Sequence, residues 1–210
     1  MHNRVWDLPL RIWHWLFALG VSTCLATGLS GDIGWMRWHQ RSGLMVIGLV
    51  VFRIGWGIWG GRYARFRYYR VSVAAMRDHF LRRLDPQVHT PPGIALAVVL
   101  FFLVILQASA GLFATDDIFT EGPLRRYVTD AFSGTATWVH HRVHWFVSGV
   151  IAIHLSAQLV YGVWFRDSLW LSMVTGRKSV HAADTHDDFR RAIMTAVVSI
   201  LIVSLLVAAG

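Results

Sequence analysis

Five apolar stretches, each close to the length needed to cross a lipid bilayer, constrain this chain most. A helix that spans the hydrocarbon layer needs about 20 predominantly apolar residues. The stretches cover residues 11–29, 39–59, 93–114, 138–164 and 192–209. Charged residues make up 15% of the chain, against about 25% in soluble domains, and the mean hydropathy is +0.46. We therefore predict an all-α integral membrane protein with five transmembrane helices.

The distribution of charge predicts the orientation of these helices. Residues 61–92 contain seven Arg and two Asp, whereas residues 115–130 contain four acids and two Arg. By the positive-inside rule the first segment faces the cytoplasm and the second faces the periplasm. Alternation then places the amino terminus in the cytoplasm and the carboxyl terminus in the periplasm of a bacterial inner (plasma) membrane. The net charge of +8 reflects this topological bias and indicates no nucleic-acid partner.

Two histidines lie on the fourth apolar stretch. His140 and His154 are fourteen residues apart, which brings them to within about 40° of one helical face and separates them by about 21 Å along the axis. A polar imidazole is costly inside a membrane unless it is bound. Two stacked haems would explain both rings. The single cysteine, Cys24, offers no C-x-x-C-H site, so such haems would be non-covalent.

Two further histidines lie at the same predicted depths in the membrane as His140 and His154. In the predicted orientation His14 enters span one from the cytoplasmic side and shares a level with His154. His39 begins span two from the periplasmic side, as His140 begins span four. Each pair can supply both axial ligands to a six-coordinate haem b. Such iron has no vacant position and favours electron transfer over oxygen or peroxide chemistry.

The histidine cluster around residue 140 leaves alternatives open. The helical phase favours His140 over His141, because thirteen residues would turn the rings of His141 and His154 about 140° apart. His144 is the fallback ligand. The three histidines could instead form a zinc or copper patch, as in a metal transporter, because residues i and i+4 share a face.

Several arginines and glycines are candidates for contact with a haem. Arg53 follows His39 by fourteen residues. This spacing puts it near the level of the inner haem, the one on the cytoplasmic side at His14 and His154, where a propionate would compensate its charge. Its alternative is snorkelling to the headgroups. The other candidates for propionates, equally explicable as interfacial anchors, are Arg11, Arg41 and Arg142. The glycines that could provide haem clearance or close helix packing are Gly43, Gly48 and Gly149.

The motifs RIWHW in span one, WHQRSG and FRIGWG in span two, and the two histidines of span four resemble the prokaryotic cytochrome b561 family and the cytochrome b subunits of nickel-iron hydrogenases. The resemblance implies two haems carried by spans one, two and four, with a third span that provides no ligand. It pairs His14 with His154 and His39 with His140. It implies a four-helix di-haem domain over residues 1–178, followed by a linker and a fifth transmembrane helix over residues 179–210.

The resemblance also implies a function. We expect a di-haem b-type cytochrome that transfers electrons between the quinone pool and a periplasmic redox partner, such as a c-type cytochrome. The quinone site, near the inner haem and Arg53, is implied by the family alone. The acidic outer loop with Asp116, Asp117 and Glu121 could dock a basic surface. The alternative is a membrane-anchor subunit of a hydrogenase or dehydrogenase, which differs by its partner. Self-association is compatible with either function.

Overall fold

The computed structural model describes residues 3–81, 87–164 and 169–209 and is almost entirely helical there. Its helices are α1 (Leu8–Leu29), α2 (Met36–Trp59), α3 (Val73–Phe80), α4 (Pro91–Gly111), α5 (Asp130–Trp164), α6 (Leu169–Thr175) and α7 (Phe189–Ala209). In these residues five helices, α1, α2, α4, α5 and α7, are long and apolar enough to cross a membrane. The predicted all-α class with five spans is confirmed.

Helix α5 begins eight residues earlier than the apolar stretch predicts. Its first turn is fixed by Thr129, whose hydroxyl accepts from Phe132 N at 3.3 Å and whose carbonyl accepts from Ser133 N at 3.0 Å. Ser133, only 1% exposed, in turn donates to the Phe113 carbonyl at 2.7 Å. These turns are polar, so hydropathy does not detect them, and capping decides where the helix starts.

The long helices turn large apolar side chains outward. Phe102 is 63% exposed, Leu159 67% and Leu205 70%. Water would penalise such a surface, whereas lipid would not, and an α-helix satisfies its own backbone hydrogen bonds in lipid. The chain is therefore a multi-pass membrane protein.

Contacts divide the chain into two compact units. The first contains residues 1–14, 53–101 and 149–193, and the second contains residues 15–52, 102–148 and 194–210. Both units take segments from several helices. The predicted boundary at residue 178 separates two consecutive stretches of the chain, whereas each of these units combines several stretches. That boundary stays a prediction.

A buried capping residue organises the first unit. Asp7, 1% exposed, precedes α1, and its Oδ1 accepts from Leu10 N at 2.9 Å as a helix N-cap. The same oxygen accepts from Trp56 Nε1 of α2 at 2.9 Å, and Trp56 is fully buried. Asp7 thus joins the start of α1 to the end of α2.

The first unit also contains a short antiparallel sheet. Strand β1 (Asn3–Arg4) pairs with β2 (Arg177–Lys178), with Asn3 opposite Lys178. Asn3 Nδ2 donates to the carbonyls of Val180 and Ala182 at 2.9 and 2.7 Å. Arg4 forms an ion pair with Asp187. The segment that leads to α7 is therefore held against the amino-terminal strand.

Helix α7 contributes to the second unit through close packing. A Cβ added to Gly48 of α2 would lie 3.1 Å from Val203 of α7. Tyr127 donates its hydroxyl to the Ala209 carbonyl at 3.1 Å. Gly48 was a candidate for either haem clearance or close helix packing, and its contact with α7 matches helix packing.

Candidate functional site

Two imidazoles meet within the second unit. His39 lies in the first turns of α2, and His140 lies on α5. Their ring centroids are 5.9 Å apart and their planes are inclined by 84°. The structure thus brings together two histidines that the sequence places at one level.

Backbone carbonyls orient both of these rings. His39 Nδ1 donates to the Cys24 carbonyl of α1 at 3.0 Å, and His140 Nδ1 donates to the Gln107 carbonyl of α4 at 2.9 Å. A carbonyl only accepts, so the proton is on Nδ1 in both rings. The Nε2 lone pair of each ring is then available to a metal, in the arrangement found for metal-bound histidines.

The side chain of Gln107 adds a second bond to His140. Its Nε2 donates to the His140 carbonyl at 3.0 Å and lies 3.1 Å from His140 Nδ1. Gln107 was not among the predicted site residues. A lone polar residue on an apolar helix was the only sequence signal for it.

Two glycines lie directly behind the imidazoles. A Cβ added to Gly28 would be 2.9 Å from His39 Cε1, and one added to Gly111 would be 2.9 Å from His140 Cε1. Neither glycine was among those predicted to matter. At the predicted Gly43 and Gly149, an added Cβ would meet no heavy atom of the described structure within 4 Å. Haem clearance at these two positions stays a prediction.

The geometry of His39 and His140 fits axial ligation of a haem. Imidazole nitrogens bind metal ions at about 2 Å, so two rings on opposite sides of one ion have centroids roughly 6 Å apart. The observed separation is 5.9 Å. Two neutral imidazoles with Nδ1 already bonded are the donor set that six-coordinate haem iron takes.

The second predicted pair lies in the first unit. His14 of α1 lies close enough to His154 of α5 for an electrostatic interaction between the two imidazoles. Both side chains are partly buried. Their ligation of a haem stays a prediction.

Arg53 lies in an aromatic cage in the first unit. It is 5% exposed, and its Nη2 donates to the Tyr69 hydroxyl at 2.5 Å. Its guanidinium carbon lies 4.7 Å from the centre of the Phe66 ring and 5.4 Å from that of Trp13. Within the described residues, Arg53 Nη1 is buried with no hydrogen-bond partner. A buried cation of this kind is costly unless an acceptor completes it.

The remaining predicted arginines make other contacts. Arg11 donates to the Val174 carbonyl. Arg41 lies 5.9 Å from the ring centre of Trp38, and Arg142 lies 5.2 Å from that of Trp138. Cation–π contacts with tryptophan on the same helix are typical of interfacial anchors. Contact of these arginines with a propionate stays a prediction.

The histidines next to His140 make different contacts. The His141 ring lies 6.3 Å from that of His140, and the His144 ring lies 4.8 Å from that of Trp145. Across the described ranges, no three His, Cys, Asp or Glu side chains form a group that could hold a metal ion. The alternative of a zinc or copper patch thus finds no support in this geometry.

Comparisons with known proteins identify the family of this chain. Residues 5–176 match the family described as prokaryotic cytochrome b561. A curated relative, the probable Ni/Fe-hydrogenase B-type cytochrome subunit of Rhodobacter capsulatus, is 22% identical over an alignment of 214 positions that covers 83% of this chain and 80% of the relative. No solved structure matches the chain. The chain therefore belongs to the prokaryotic cytochrome b561 family, and it is a membrane b-type cytochrome that carries haem b and takes part in electron transfer.

Proposed function

We propose that the chain holds two haem b groups and passes electrons between the quinone pool and a redox partner in the periplasm. His39 and His140 hold one haem, and His14 and His154 hold the other. The observation that carries the proposal is the His39–His140 pair, with centroids 5.9 Å apart and both Nδ1 atoms bonded to carbonyls. Bound haem supplies one-electron transfer, and two imidazole ligands leave no position for oxygen.

Arg53 would pair with a propionate of the haem at His14 and His154. Its buried Nη1 needs an acceptor, and a propionate carboxylate accepts charge-assisted bonds from guanidinium. The guanidinium lies 5.4 Å from the ring centre of Trp13, one residue before His14 on α1, which supports a position near the level of this histidine. We expect Arg53→Leu to weaken binding of this haem and Arg53→Lys to restore part of it. Unchanged haem binding in Arg53→Leu would contradict the pairing.

Quinone would bind near Arg53. The Tyr69 hydroxyl accepts from Arg53, and the His89 ring lies 4.9 Å from that of Tyr69. A hydroxyl and an imidazole are groups that can hydrogen-bond quinone carbonyls. Electron transfer from quinol to the haems of purified protein is the direct measurement, and failure of any quinol to reduce them would exclude this substrate.

The outer loop would dock the periplasmic partner. Asp116 accepts from the backbone N–H of Ile118, Phe119 and Thr120 at 3.0, 2.8 and 2.8 Å, which fixes the loop. Ile118 and Phe119 are each 76% exposed at its tip. Apolar side chains within a charged rim are typical of transient protein interfaces. With Asp117 as part of that rim, the loop suits a c-type cytochrome with a basic surface.

Ionic strength tests this docking. We expect reduction of a basic soluble cytochrome c by the reduced protein to slow as salt is added, because screening weakens steering between opposite charges. The double variant Asp117→Asn, Glu121→Gln should lose most of the salt dependence. A rate that is independent of salt would exclude charge-guided docking.

Membership of an enzyme complex is the second candidate, favoured by the name of the relative from Rhodobacter capsulatus. In that case this chain would anchor a hydrogenase or dehydrogenase in the membrane. With a hydrogenase as partner, hydrogen gas would reduce the haems in native membranes, and with another dehydrogenase the substrate of that enzyme would do so, whereas a freestanding quinol-linked cytochrome would respond to neither. The two functions share the haem chemistry and differ in this response.

Haem stoichiometry tests the central proposal. We expect an intense Soret band that shifts on reduction, and two haems per chain by pyridine haemochrome. His14→Ala and His39→Ala should each remove one haem, and a redox-inactive metal transporter would show no band. His141→Ala, next to the proposed ligand, is the matched control and should retain both haems. One haem in the native protein, or two in His14→Ala, would overturn the assignment.

The orientation of the chain is part of the proposal. The arginines of residues 61–81 and the acids of the 115–130 loop support an amino terminus in the cytoplasm and a carboxyl terminus in the periplasm of a bacterial inner membrane. Accessibility of a cysteine introduced at Asp117 to a membrane-impermeant thiol reagent checks this placement. Labelling only after the cells are broken would reverse it.

A further inference from the structure

The contacts behind His39 and His140 follow one pattern on two different helices. On α1, the carbonyl that accepts from His39 belongs to Cys24, and the glycine behind the ring is Gly28. On α4, the accepting carbonyl belongs to Gln107, and the glycine is Gly111. In both helices the glycine follows the accepting residue by four positions. We call each carbonyl with its glycine a histidine seat.

The spacing of four has a physical reason. Side chains of an α-helix point back toward its amino terminus, so a side chain at position i+4 lies over the turn that contains residue i. A ring that donates to the carbonyl of residue i must occupy that space. Only glycine leaves it open, because it has no Cβ.

We propose that Gly28 and Gly111 are positioning residues for the haem at His39 and His140. Each glycine lets an imidazole lie against the helix, donate its Nδ1 proton to the carbonyl and hold Nε2 toward the iron. The inference rests on the proposed function, because it assumes that these two histidines are the axial ligands.

The crowding gives the expected size of the effect. An alanine Cβ at Gly28 would be 2.9 Å from His39 Cε1 and 3.0 Å from its Nδ1, and one at Gly111 would be 2.9 and 3.1 Å from the same atoms of His140. Ordinary contact begins at 3.4 Å. Each ring would have to retreat by about 0.5 Å, which stretches its bond to the carbonyl to the limit of hydrogen bonding. Loss of such orienting bonds typically weakens metal binding by about 10- to 100-fold.

The chain offers a matched control. Gly134 lies on α5, the helix of His140, and an added Cβ there would meet no atom of the described structure within 4 Å. Gly134→Ala therefore makes the same chemical change on a ligand-bearing helix without touching a ring. Any general effect of alanine on helix stability is common to all three variants.

The experiment compares Gly28→Ala, Gly111→Ala and Gly134→Ala in the full-length protein. Haem affinity is measured by titration, and the ferric haems are followed by electron paramagnetic resonance, which responds to the angle between two axial imidazoles. We expect both seat variants to bind this haem 10- to 100-fold more weakly or to change its signal, while the haem at His14 and His154 is retained and reports folding. Gly134→Ala should match the native protein.

The native protein supplies a test that needs no substitution. The planes of the His39 and His140 rings are inclined by 84°. Near-perpendicular imidazoles give ferric haem a strongly anisotropic low-spin signal in electron paramagnetic resonance, so we expect this signal from one of the two haems. Ordinary rhombic signals from both haems would overturn the inference. So would unchanged affinity and signal in both seat variants, or an equal change in Gly134→Ala. Retention of two haems in His39→Ala would instead refute the proposed function.

Discussion

Replacement of Asp7 should separate the effect of a hydrogen-bond acceptor from that of a buried charge. Its Oδ1 caps α1 through Leu10 N and accepts from Trp56 Nε1, both at 2.9 Å. Asp7→Ala removes both bonds at once. The lost cap costs about 1 kcal/mol, and a buried indole N–H left without its acceptor costs about 1–3 kcal/mol. We therefore expect a loss of about 2–4 kcal/mol in the free energy of unfolding.

The matched variant is Asp7→Asn, which keeps an oxygen acceptor in the same place. Burial raises the pKa of the Asp7 carboxyl above its usual value of 3.8, so the ionised form is the costly one. Asparagine removes this cost. Because the folded state binds the proton more tightly, native stability should decline as the pH rises from 3.8 through the folded pKa, and Asp7→Asn should lack this decline.

Thermal unfolding in detergent, followed by tryptophan fluorescence, measures the difference. For a chain of this length, about 2–4 kcal/mol lowers Tm by roughly 4–16 °C. Asp7→Asn should lose less than half as much. The reasoning is refuted if Asp7→Ala melts with the native protein, or if Asp7→Asn is as damaging as Asp7→Ala.

Three further predictions concern residues outside the spans. Burial, together with the positive charges of Lys178 and Arg53, lowers the pKa of His89 to about 4. The free energy of unfolding should thus fall by roughly 2–3 kcal/mol as the pH drops from 6.5 to 4, because the unfolded chain binds the proton more tightly. Denaturant titrations measure this fall, and His89→Phe should remove it. Hydrogen bonds from the loop backbone hold the pKa of Asp116 well below its usual value, so the loop should stay ordered above pH 3.8 and loosen as the pH falls below it. Asp116→Ala should speed amide hydrogen exchange at Ile118 and Thr120 at neutral pH, whereas Asp117→Asn should not.

The five spans could be predicted because length and apolar composition alone decide whether a helix suits the bilayer. The start of α5 could not, because it depends on the contact of Ser133 with a distant carbonyl. The choice of His140 over His141 followed from helical phase, and the structure places the His140 ring 5.9 Å from that of His39. Helical phase can be derived from the sequence because it depends on a single helix, whereas ligation of a haem by His140 stays a prediction.

The surroundings of these histidines depend on which helices are neighbours, and sequence periodicity does not contain that information. Gly28 and Gly111 look like any small residues that allow close helix packing. Their role is visible only once a ring from another helix lies against them. The aromatic cage of Arg53 is similar, because Phe66 and Tyr69 come from the segment after α2. The Asp116 carboxylate accepts hydrogen bonds from its own loop, and nothing in the sequence pattern indicates these bonds.

The pairing of β1 with β2 has a consequence for biosynthesis. Asn3 cannot meet Lys178 until the ribosome has made the 174 residues between them, by which time four of the five spans have been synthesised. Contacts over such a separation in sequence form late. The amino-terminal strand of the first unit thus stays unpaired until after those four helices have been made.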